Sequence, residues 1–139
     1  MSLTTNRSMP SATVIPEVPY LDVREAATWL ASAFGFSERL RIGRHRVQMA
    51  FEGGAIIVVQ SERQPAPQQT LVRVPDVDSH CETARRAGAK IVAEPTDHPY
   101  GERQYTAIDN GGHRWTFSQS LADVDPADWG GELVGPDRP

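Results

Sequence analysis

Residues 70–95 read TLVRVPDVDSHCETARRAGAKIVAEP, and their order decides the fold. A short β-type run, TLVRV, leads into Asp76 to Ser79, residue types that cap helices. Val77, Cys81 and Ala84 then share one helical stripe, and Gly88-Ala89 supplies a stop before the next extended run. Residues 14–35, VIPEVPYLDVREAATWLASAFG, have the same order. Pro16 and Pro19 lack ladder donors, which puts this strand at a sheet edge or at its own start. Asp22 with Glu25 has the form of a capping box, Leu30 and Phe34 lie four apart, and Gly35 supplies the stop.

Three further β-type runs follow the first helix: FSERLRI (36–42), HRVQMAF (45–51) and AIIVVQS (55–61). Glu52-Gly53-Gly54 joins the last two, and its glycines are expected to take the positive φ of a tight hairpin. The polar, proline-bearing ERQPAPQQ (62–69) reads as a linker. After the second helix, RQYTAID (103–109) and HRWTFSQ (113–119) flank Asn110-Gly111-Gly112. The chain is therefore a duplication with a period of about fifty residues, each half ordered βαβββ. Module one covers 14–61 and module two 70–120, between an aperiodic polar arm (1–13), expected to be flexible, and an acidic tail (121–139).

A chain of 139 residues with 39% hydrophobic content suffices for one domain. The net charge of −4, with scattered arginines, leaves no basic stripe for nucleic acid. The lone Cys81 can close no internal disulfide, and no long apolar run marks a signal peptide or membrane span, so a cytoplasmic protein is expected.

The duplicated order, with VPYLDV and AxxWLxxAFGF early and YGERxxxxxDxxGHRWTF late, resembles the vicinal oxygen chelate superfamily over roughly residues 14–120. That family holds glyoxalase I, extradiol dioxygenases, and fosfomycin- and bleomycin-resistance proteins. The resemblance implies an α+β fold in which two βαβββ modules form a cup-shaped mixed sheet with helices outside, commonly as a homodimer. The family's metal enzymes carry His, Gln or Glu ligands at places that fall here at Val18, Val58 (give or take one residue), Gln69 and Thr116. Two valines, an amide and a hydroxyl form no ligand set for a divalent cation, so no metal and no cofactor are expected. His45, His80, His98 and His113 are dispersed, and Cys81 lies on an apolar stripe.

Strand alternation turns Arg114, Thr116 and Ser118 into the cup and His113, Trp115 and Phe117 toward the helices. Arg114 then meets either a ligand or an internal acid, of which Asp22 is the most available. Tyr20, Gln69, Leu71 and Arg73 line the cup by the same count, Ile56 and Val58 add an apolar floor, and Arg103 with Tyr105 forms a wall or a solvated turn. Apolar surface with a few guanidinium donors suits a small, partly anionic or carbonyl-rich organic molecule. The expected function is metal-free binding of such a ligand, resembling the antibiotic-sequestering bleomycin-resistance proteins. The alternatives are a glyoxalase-like lyase or isomerase, or a dioxygenase-type enzyme, acting on a small carbonyl substrate, with Tyr105, Glu102 or His113 as acid or base. A regulatory module without a ligand is the third class. Neither nucleic acid nor membrane is expected as a partner.

Overall fold

Asp22, two residues past the first strand, starts the first helix. Its backbone is extended, and its side chain accepts from the Glu25 amide at 3.0 Å. The computed structural model describes residues 2–136, and in it β1 spans Glu17–Tyr20 and α1 Val23–Phe34. Gly35 closes α1 at φ 84°, a left-handed conformation that glycine takes without strain. Then come β2 (Ser37–Ile42), β3 (Arg46–Phe51) and β4 (Gly54–Gln60). The second half repeats this as β5 (Gln69–Arg73), α2 (Val77–Arg86), β6 (Lys90–Asp97), β7 (Glu102–Ile108) and β8 (Arg114–Ser120), with Asp76 as the N-cap of α2.

Each module is a four-stranded mixed sheet, ordered β1-β4-β3-β2 in one and β5-β8-β7-β6 in the other, with the first strand of each parallel to the last. This is the expected α+β fold of two βαβββ modules. One local expectation changes. In the β3–β4 hairpin the positive φ falls on Glu52 (48°) and not on the glycines that follow, one of which already belongs to β4. In β6 the pairing register slips on either side of Ala93, ahead of Pro95, a residue tolerated in strands at such irregularities.

The two modules share one core. Val18, Val47, Met49 and Val58 from the first sheet and Tyr105, Ala107, Trp115 and Phe117 from the second are all buried beside the apolar stripes of α1 and α2. The helices pack on each other, Phe34 of α1 meets Trp115 and Phe117 of β8 at ring-centroid distances of 5.7 and 4.7 Å, and the Trp29 indole donates to the Ala87 carbonyl at 2.9 Å. The helix-bearing faces of the two sheets thus meet inside the chain. Their other faces look away from the shared core. Cys81 is buried, and burial pushes its thiol up, as suits a core residue.

His80 ties the modules together at the helix ends. One ring nitrogen lies 2.9 Å from the Phe34 carbonyl and must carry the proton; the other, 2.6 Å from the Tyr105 hydroxyl, accepts from it. Burial holds the imidazole below its ordinary 6.5. Above 6.5 the ring is neutral in both folded and unfolded chains, and as pH falls from there through the lower folded value the unfolded chain takes up the proton first. Stability should therefore fall with pH below about 6.5. Urea unfolding from pH 7.5 to 5 should show this loss, and a shallower slope in His80→Gln.

Candidate functional site

The hairpin that joins β7 to β8 is built around one carboxylate. Asp109 is 6% exposed; its Oδ2 accepts from the Tyr20 hydroxyl at 2.5 Å and the Trp115 indole at 2.9 Å, and its Oδ1 accepts from the amides of Gly111 at 2.8 Å and His113 at 2.9 Å. Gly111 lies so close to the Tyr20 ring that an added Cβ would overlap it, and Gly112 turns at φ 91°. His113 is buried with both ring nitrogens engaged: one accepts from the Gln68 amide at 2.9 Å, the other donates to the Pro19 carbonyl at 2.6 Å. These groups fasten module two to β1. Burial and the adjacent Asp109 charge push the Tyr20 phenol far above its ordinary range, and burial does the same to Tyr105. Of the acid–base candidates, Tyr105 and His113 are core residues, whereas Glu102 reaches an open face.

That face is the helix-free side of the second sheet. Register places Gln69, Leu71 and Arg73 of β5 beside Arg114, Thr116 and Ser118 of β8, and Thr116 and Ser118 opposite Thr106 and Gln104 of β7. Gln104 donates to the Ser118 hydroxyl at 3.0 Å and accepts from the Tyr100 hydroxyl at 3.1 Å; Ser118 donates to Glu102 at 2.6 Å, and Thr106 and Thr116 bond at 2.9 Å. Arg73 donates to Ser120 at 2.9 Å. Arg114 is partly exposed, and among the described residues no carboxylate lies within ion-pair distance of it. The Asp22 partnership is not formed, because Asp22 is occupied as the α1 cap.

Of the residues expected to line a site, Gln69, Leu71, Arg73, Arg114, Thr116 and Ser118 meet on this face. The structure puts Tyr20, Val58 and Tyr105 in the shared core. Arg103 lies on the helix side, paired with Asp78 of α2 at 3.1 Å and Asp97 at 2.9 Å. Ile56 is buried but borders an apolar crevice of about 370 Å³ between the start of β4 and β5, lined also by Phe36, Phe51, Val72, Trp115 and, at its mouth, Arg73. The first-module count was one residue out: with Val18 and Val58 inward, Glu17, Pro19, Ile57 and Val59 take the helix-free side. Sequence reasoning missed Gln104 and Thr106, although alternation in ERQYTAI, counted from the strand paired with Thr116, marks both.

The donor set does not fit a metal. Glu17 is committed to Arg46 at 2.9 Å, and among the described residues no three His, Cys, Asp or Glu side chains come together.

Residues 16–117 match the Glyoxalase/Bleomycin resistance protein/Dioxygenase superfamily. The chain belongs to this superfamily. Among solved structures it is similar to TioX from Micromonospora sp. ML1, with 31% identity and a TM-score of 0.70 over 80% of this chain and 100% of that one. A glyoxalase/bleomycin resistance protein/dioxygenase family enzyme from Burkholderia phytofirmans PsJN (16% identity, TM-score 0.68, 80% and 100% covered) and a glyoxalase-related enzyme from Fulvimarina pelagi (14%, 0.65, 80% and 89%) share the fold. None of the curated proteins matches the chain. Among the described residues no helix is long and apolar enough to cross a membrane.

Neighbours in sequence, Arg114 and Trp115 face opposite ways, and their variants should separate accordingly. Trp115→Ala should cost about 3–5 kcal/mol of stability through the cavity it leaves. Arg114→Ala should stay within about 0.5 kcal/mol of the parent, as for a surface side chain without a partner. Paired urea titrations read both.

Proposed function

We propose that the chain is a metal-free binding protein for a small, anionic or carbonyl-rich organic molecule, of the antibiotic-sequestering kind. The observation that carries this reading is Arg114: a guanidinium on the helix-free face with no acidic partner among the described residues, beside Gln69 on β5 and followed along the same face by the bonded hydroxyls of Thr116 and Thr106, with Arg73 further along β5 opposite Ser118. Arg73 also lines the crevice with Phe36, Phe51 and Trp115, so a ligand seated there meets apolar aromatic surface and a charged donor together. Binding needs these groups and no reactive centre.

Ligand binding to the parent protein, found by screening aromatic antibiotics and carbonyl-rich metabolites and measured by calorimetry, should weaken by roughly 1.5–3 kcal/mol in Arg114→Ala, the range for a hydrogen bond to a charged group. Binding unchanged in that variant, or about one tightly held metal per chain in elemental analysis, contradicts the reading.

We further propose a homodimer as the working form, in the cytoplasm. Both helix-free faces point away from the core, so the two sheets of one chain do not enclose a ligand between them, and a second copy would close each face. Exposed Leu71 at the centre of β5 suits such a contact. Sedimentation at tens of micromolar should give a dimer, and a monomer throughout that range contradicts it.

A further inference from the structure

The helix-free face of the first sheet is not bare. Gln48, in the middle of β3 and turned away from the core, is only 3% exposed, although it is a polar side chain with two donors and an acceptor to satisfy. Its partners come from the N-terminal arm and from β2. The Gln48 amide donates to the Ser8 carbonyl at 2.8 Å, and the Arg39 guanidinium donates to the Arg7 carbonyl at 2.7 Å. A second Arg39 nitrogen donates to the Gln48 oxygen, which fixes the amide with its NH₂ toward the arm. The arm is shaped for this contact: Asn6 accepts from the Ser8 amide through its side chain and from the Met9 amide through its carbonyl, both at 3.0 Å, and Pro10 is buried.

Every one of the contacts from Arg39 and Gln48 to the arm is to main-chain carbonyl, on two successive residues. Nothing in them depends on the arm's side chains. We infer that Arg39 and Gln48 form a subsite for peptides and peptide-like amides, one that reads two consecutive carbonyls and is occupied in cis by residues 6–10. The arm contributes no strand to either sheet, and the core cluster holds no residue before Val18, so this occupant can leave without unravelling the domain. A tether of a few residues gives it an effective concentration of the order of millimolar, which an external ligand must exceed. The inference deepens the proposed binding function by naming a ligand class for the first sheet, and it rests on the helix-free faces being the binding surfaces.

Its test needs no physiological ligand, so it can succeed or fail independently of the screen. The probe is the fluorescein-labelled peptide SLTTNRSMPSA (residues 2–12), titrated by fluorescence polarisation against the full chain and against a chain beginning at Thr13. The shortened chain should bind saturably, the full chain about tenfold more weakly or not at all, and Arg39→Ala with Gln48→Ala in the shortened chain should lose about tenfold or more. A parallel hydrogen-exchange measurement on the full chain should find the Ser8 and Met9 amides slowed relative to the free peptide and released in Gln48→Ala. Absence of saturable binding to the shortened chain, binding indifferent to both side chains, or free-peptide exchange rates in the full chain would each overturn the subsite.

Discussion

The carboxylate of Asp109, buried and surrounded by four donors, is the interaction on which the rest of the structure depends. Hydrogen bonds to a charged group contribute about 1.5–3 kcal/mol each, and a buried carboxylate stripped of its donors is costly enough that the set stands or falls together. Two of the donors are amides of its own hairpin, one is Trp115 from β8, and one is Tyr20 from the other module. A local turn is thereby welded to a strand 89 residues away in sequence. His113 repeats the connection through the Pro19 carbonyl. The acid, histidine and tryptophan of the hairpin look like a reactive cluster in the sequence, yet they hold two halves of a duplicated chain together.

The proposed binding function lies on the opposite sides of the sheets from this clasp. The arginines divide along the same line. Arg85 and Arg103 lie on the helix side with carboxylate partners, where exposed ion pairs contribute little to stability. Arg114 and Arg73 lie on the helix-free face of the second sheet, and among the described residues neither has a carboxylate within ion-pair distance. On the first sheet, Arg39 and Gln48 present donors of another kind, already engaged by carbonyl groups.

Much of this was legible in the residues. Asp22, Gly35 and Asp76 marked helix ends because capping is local chemistry, and the repeated βαβββ order followed from hydrophobic period and turn residues. Alternation placed Arg114, Thr116 and Trp115 correctly because β8 is regular and its aromatics fix its phase. In β4 five successive apolar residues, Ala55 to Val59, carry no phase, since the two faces of the strand look alike in sequence; a slip of one residue moved Val58, and Tyr20 of the neighbouring β1, to the wrong side. The arm reads as flexible in the sequence because its contacts run through main-chain carbonyls, which every residue possesses.

The central claim is that Tyr20 and Asp109 form a clasp between modules and not a ligand site. A double-mutant cycle with Tyr20→Phe and Asp109→Asn, followed by urea unfolding with both tryptophan fluorescence and circular dichroism, tests it most directly. The clasp requires a coupling energy of about 1–3 kcal/mol and coincident transitions from the two probes. Losses that add to within about 0.5 kcal/mol, with each module unfolding on its own, would contradict it.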